Sequence, residues 1–81
     1  MYYVYVLKSL KTNRQYVGFT KNIEHRLKEH NSGLSRYTKS RGPWELIYFE
    51  EKETLKAAEK RERFFKSGNG RLVLKRILNE S

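Results

Sequence analysis

Arg26, His30 and Glu62 are the residues whose type and spacing point beyond scaffolding. Stepping at about 100° per residue, Ile23, Arg26, Leu27 and His30 fall within an arc of about 100°. Ile23 and Leu27 mark that arc as core-facing, so Arg26 and His30 are carried inward, where a solvated charge gains nothing. On a later helix Leu55, Ala58, Glu62 and Phe65 share one arc, with Lys66 at its edge. Glu62 is thus a carboxylate among apolar neighbours. Two readings stand for each residue. Arg26 snorkels at the margin or offers a guanidinium to an anion, and His30 is a hydrogen-bonded core histidine or part of a site. Glu62 pairs with Lys66 at i,i+4 or turns a metal-ligating oxygen toward the cleft of Arg26 and His30.

The elements that would position these groups follow from the pattern. Met1 to Leu7 is aromatic and β-branched without a polar break, which predicts a strand buried on both faces and central in its sheet. Lys8 to Arg14 forms a hairpin loop, with Thr12 and Asn13 as turn residues. Gln15 to Gly18 returns antiparallel, bringing Tyr5 and Tyr16 within a residue or so of opposite each other. Gly18 ends that strand, where the backbone turns or lets something approach closely. Thr20 is the expected N-cap of the first helix and Asn31-Ser32-Gly33 its stop. Trp44 to Phe49 is a third strand, with Trp44, Leu46 and Tyr48 on one face and Ile47 and Phe49 on the other. Thr54 caps a helix running to about Lys66, Ser67-Gly68-Asn69-Gly70 breaks it, and a last helix covers Arg71 to about Leu78. The order ββαβαα predicts a single small α/β domain over residues 1–81, a three-stranded antiparallel sheet flanked by helices.

Charge identifies the class of partner. The chain carries a formal +9, of which residues 1–42 hold nine Lys/Arg against two Glu. A basic surface built from the first half points to nucleic acid. The stretch from Gly33 to Pro43 is small, polar and basic. In it Arg36, Lys39 and Arg41 would grip phosphates and Tyr37 would stack a base, or the stretch is an ordinary solvated connection. There is no cysteine, so no disulfide, thiolate zinc site or cysteine nucleophile is available. His25 and His30 are five apart and project from different helical faces, which disfavours zinc. Aspartate is absent and the glutamates are spread out, which disfavours a two-metal site. Without a signal peptide or an apolar run of spanning length, the expectation is a cytoplasmic protein with no membrane partner.

Taken in order, Tyr3-Val4-Tyr5, a gap of ten residues, Tyr16-Val17-Gly18, Arg26, His30 and Glu62 resemble the GIY-YIG nuclease superfamily. The resemblance covers nearly the whole chain. It extends to small stand-alone bacterial members through YVYVLKS, RLKEHNSG, PWELIYFE and KRERFFKSG, and to the N-terminal nuclease domain of the bacterial excinuclease. Tyr3 and Val4 stand where the family name has glycine and isoleucine. Phe19 stands where some members carry lysine, and Asn69 is the only residue near enough to match a late asparagine.

The resemblance implies metal-dependent hydrolysis of phosphodiester bonds, most naturally in DNA, using one Mg²⁺ or Mn²⁺ ion. Glu62 would hold the ion, and Arg26 would face charge developing on the phosphate. Tyr5 would be the base and Tyr16 its positioning partner, with nearby positive charge lowering the phenol's pKa. His30 would orient a tyrosine or share a proton relay. A catalytically idle nucleic-acid-binding module of the same fold is the alternative, and an interaction protein dimerising through a sheet edge is a further one. So small a domain is expected to draw specificity from a protein partner.

Overall fold

The unbroken apolar run near the N-terminus becomes β1 (Tyr2–Ser9), two residues longer at its end than the pattern predicts. It lies between β2 (Gln15–Thr20) and β3 (Trp44–Lys52) in an antiparallel sheet of order β2–β1–β3. Central placement explains the composition: Val4, Val6 and Leu7 are fully buried and Tyr5 is 2% exposed. The computed structural model describes residues 1–33 and 42–80. The helices are α1 (Ile23–Asn31), α2 (Leu55–Lys66) and α3 (Gly68–Glu80), so the order is ββαβαα as expected.

Alternation along β1 divides the core in two. Tyr5 and Leu7 face one side, where Trp44, Tyr16 and Leu46 join them beneath Ile23 and Leu27 of α1. Val4 and Val6 face the other, packing with Val17 of β2, Ala58 and Phe65 of α2 and Leu74 of α3. Phe65 is 1% exposed; burying such a side chain stabilises by about 1.5–3 kcal/mol. On that second side Arg61 grips Glu50 with two hydrogen bonds, Nε to Oε1 at 2.8 Å and Nη2 to Oε2 at 3.0 Å. The Tyr48 hydroxyl donates to Glu50 Oε2 at 2.6 Å within β3, steadying the carboxylate through which Arg61 ties α2 to that strand.

Four details differ from the pattern-based reading. β2 does not stop at Gly18 but continues to Thr20, and Gly18 pairs with Tyr5 in mid-strand. Tyr16 pairs with Leu7, so Tyr5 and Tyr16 are diagonal neighbours rather than opposite ones. The N-cap of α1 is Asn22, whose Oδ1 accepts from the His25 backbone N–H at 3.1 Å. Thr20 stays in the strand and its hydroxyl accepts from the Asn22 N–H at 3.2 Å. In β3 the pairing steps from Leu46 opposite Leu7 to Tyr48 opposite Val6, leaving Ile47 as a bulge. The extra residue reverses the alternation beyond it. Tyr48 therefore packs with Phe65 on the α2 side, and Phe49 meets Tyr3 edge to face at 6.2 Å.

The last break is also shorter than expected. Only Ser67 leaves helical geometry, with ψ 164°, and α3 begins at Gly68. The Ser67 hydroxyl accepts from the Gly70 N–H at 3.1 Å, which caps the new helix. Gly70 is demanded by space: a Cβ there would overlap the Phe64 carbonyl. Thr54 does cap α2, accepting from the Ala57 N–H at 3.1 Å. Among the described residues no helix is long and apolar enough to cross a membrane.

Candidate active site

The absence of a side chain at Gly18 makes the site possible. A Cβ on this residue would lie 2.6 Å from Tyr5 Oη, 2.8 Å from Tyr5 Cζ and 3.1 Å from the nearest Tyr16 ring carbon. The Tyr5 phenol thus occupies the space over β2 that any other residue would fill. From there its oxygen lies 3.0 Å from His30 Nε2, and Arg26 Nε–H donates to it at 3.4 Å. The spacing of α1 sets both contacts: Arg26 and His30 are one turn apart on the face that Ile23 and Leu27 turn toward the sheet.

The protonation states agree with this chain of bonds. Burial, and then the neighbouring Arg26 charge, hold His30 below the usual histidine pKa, so it is neutral at pH 7. A neutral ring can present Nε2 as an acceptor, and the Tyr5 hydroxyl then donates to it while accepting from Arg26. Burial pushes the Tyr5 phenol up to about 12, outweighing the opposing hydrogen bond from Arg26. Arg26 by itself does not bring this phenol below its ordinary value; the sequence-based expectation placed a metal ion beside it as well. Arg26 is raised, chiefly by its bond to Tyr5, and stays charged.

Tyr16 closes one side of the group. Its ring stands edge-on to His30 at 4.9 Å, 6.3 Å from Tyr5 and 6.3 Å from Trp44. Lys66 Nζ lies over the Tyr16 ring, 6.0 Å from its centre. The same ammonium group is 3.5 Å from Glu62 Oε2. Tyr5, Tyr16, Arg26 and His30 therefore form one contiguous cluster, while Glu62 joins it through Lys66. The reason is topological. The apolar stripe of α2 packs on the Val4–Val6 side of the sheet, opposite α1, and Lys66 is the α2 side chain that reaches Tyr16 on β2, an edge strand. Among the described residues the partner of the Glu62 carboxylate is Lys66, the i,i+4 pairing read from the sequence, and that side chain is 17% exposed.

Two sets of contacts at the site were not read from the sequence. Glu29 Oε2 lies 3.6 Å from Arg26 Nη1, and its Oε1 lies 3.2 Å from His25 Nδ1. Their i,i+3 and i,i+4 spacings were the available signal. Lys66 stood at the edge of its arc, but its approach to Tyr16 left no mark on the pattern. Among the described residues no group of three or more His, Cys, Asp or Glu gathers. Arg36, Tyr37, Lys39 and Arg41 lie outside the described residues. The segment carrying them is clasped at its base: Asn31 Oδ1 accepts from the Trp44 N–H at 2.7 Å, and its Nδ2–H donates to the Trp44 carbonyl at 3.2 Å.

The GIY-YIG catalytic domain model matches residues 1–75. A UPF0213 protein of Clostridium perfringens is 46% identical over 67 residues, 82% of this chain and 71% of that protein. One of Syntrophus aciditrophicus is 51% identical over 63 residues, 74% of this chain and 70% of the relative. The solution NMR structure of a UPF0213 protein from Bacillus halodurans superposes with a TM-score of 0.56 at 31% identity, covering 95% of this chain and 85% of that one.

Proposed function

Because the chain belongs to the GIY-YIG catalytic domain family and so has a nuclease-type fold, we propose that it is an endonuclease hydrolysing phosphodiester bonds in DNA with one Mg²⁺ or Mn²⁺ ion. The observation that carries this reading is the bonded chain from Arg26 through Tyr5 to His30. A fold needs no arginine aimed at a buried phenol that is itself shared with a neutral histidine. The Arg26 side chain remains 37% exposed, so part of its donor fork is left for a phosphate. There it would face the charge that builds up as a nucleophile attacks phosphorus.

A phenol at about 12 is a poor base at neutral pH. A relay removes the difficulty. As Tyr5 Oη takes a proton from the attacking water, its own proton passes along the 3.0 Å bond to Nε2 of His30. No free phenolate has to form beforehand. Tyr16 packs against His30 and fixes the ring for that transfer.

Glu62 suits a hard divalent ion that keeps most of its water, because among the described residues no group of three or more His, Cys, Asp or Glu gathers to form a fuller donor set. When bound, the ion would polarise the scissile phosphate and stabilise the departing oxygen. Lys66 must release Glu62 for this, and its ammonium is then free to meet a phosphate.

The test is incubation with branched, single-stranded and duplex substrates, with Mg²⁺, with Mn²⁺ and with EDTA. Cleavage that needs the ion and stops with EDTA is expected. Salt-sensitive binding without cleavage of any substrate would leave the catalytically idle binding module in its place.

A further inference from the structure

A groove of about 1050 Å³ runs between β2 and the pair α2 and α3, on the far side of Tyr16 from His30. Its floor is apolar, with the half-buried Tyr16 and Leu78 offering surface beside the buried Val17, Phe65 and Leu74. Its rim is basic, with Arg14 on the β2 side, Arg71 and Lys75 on α3 and Lys66 beside Tyr16; no acidic residue lines it. Arg14, Arg71 and Lys75 make no ion pair with any described side chain. Arg71 and Lys75 are one helical turn apart, about 6 Å along the axis, so they stand in a row.

An apolar floor under a row of unpaired cations is what an unpaired nucleic-acid strand matches. Its phosphates meet the cations, and its bases, which have flat apolar faces, cover the floor. A duplex keeps its bases stacked inward and would use the rim alone. An acidic peptide would satisfy the cations but has no comparable face for the floor. We infer that this groove seats a single-stranded stretch of nucleic acid and leads it to Tyr16. The binding is independent of cleavage; only the fate of the strand at Tyr16 rests on the nuclease reading above.

The test measures fluorescence anisotropy of the full chain with a short single strand, the same strand without bases, and the matched duplex. EDTA is present and salt is varied. In the variant Arg14→Gln/Arg71→Gln/Lys75→Gln the salt slope for the single strand should fall by about 2, since each neutralised phosphate contributes about 0.7. The parent should bind the single strand more tightly than the matched duplex, and the baseless strand more weakly than the intact one. All three side chains are exposed, and circular dichroism checks that the variant folds. Should it not fold, the baseless comparison on the parent decides. An unchanged single-strand slope, binding of the duplex by the parent as tight as that of the single strand, or equal binding of the baseless strand would each overturn the inference. So would displacement of the strand by polyglutamate at matched charge. The two readings fail separately: normal single-strand behaviour with no cleavage sinks the nuclease and leaves the groove, and cleavage with an unchanged slope does the reverse.

Discussion

Replacing Gly18 by alanine adds one methyl group at the point where the site is most crowded. That carbon would sit 2.6 Å from Tyr5 Oη and 2.8 Å from Cζ, and Tyr5, 2% exposed, has little room to retreat. Overpacking of a well-filled core costs about 1–3 kcal/mol. Displacing the phenol also weakens its bonds to His30 and Arg26, a further loss of about 0.5–1.5 kcal/mol. Against this, alanine stiffens the unfolded chain and returns about 0.4–1 kcal/mol. Gly18 has no positive φ, so backbone conformation adds no penalty. The net is a destabilisation of about 1–3 kcal/mol, or roughly 5–20 °C in Tm for a domain of this size. Thermal unfolding by circular dichroism measures it. The same substitution in a Tyr5→Phe background, which removes the nearest atom, should cost less by at least about 0.5 kcal/mol. A Gly18→Ala variant as stable as the parent, with the same cost in both backgrounds, would refute the claim that the phenol occupies this space.

Three further outcomes are expected. His30 binds protons less readily folded than unfolded, so the unfolded chain holds more protons just below the ordinary histidine pKa of about 6.5. Stability should then fall as pH drops through that value and level off below the lowered folded one; Tm scans from neutral to acidic pH check this, and His30→Gln should flatten the curve. Arg26→Ala and Glu62→Ala should each abolish cleavage in a gel assay while Tm stays within a few degrees. Losing Arg26 removes about 3–4 kcal/mol of transition-state stabilisation that added metal cannot restore, whereas high Mn²⁺ should recover a trace for Glu62→Ala. Lys66→Ala should tighten Mn²⁺ binding by about two- to fivefold in calorimetry, because a half-exposed ion pair worth under about 1 kcal/mol no longer competes for Glu62.

The parts legible in sequence were those governed by local pattern. The central position of β1 followed from its unbroken apolar run, and Thr54 was readable as a cap because an apolar arc follows it. The readings that missed shared a cause. Gly18 and Gly70 look like breaks by propensity, yet each sits inside an element because a distant atom needs its space, Tyr5 Oη in one case and the Phe64 carbonyl in the other. Thr20 and Asn22 are both good caps, and the ladder running on to Thr20 decides between them. The Ile47 bulge leaves no mark on alternation, so the partner of Glu50 could not be found from β3 alone. Arg26 and His30 were visible on one arc, but their shared contact with Tyr5 depends on the register of two strands. Glu62 reads as core-facing, and only the topology shows that α2 packs on the opposite side of the sheet from Tyr5, with Lys66 between Glu62 and the Tyr16 ring.

The clasp between Asn31 and Trp44 bears on how such a domain can be diversified. Its two hydrogen bonds fix the end of α1 against the start of β3, whatever chain runs between them. Doubling the length of a loop adds only about 0.6 kcal/mol of closure cost. A longer connection between these two ends would therefore add little closure cost, and the contacts of Arg26 and His30 with Tyr5 do not depend on it.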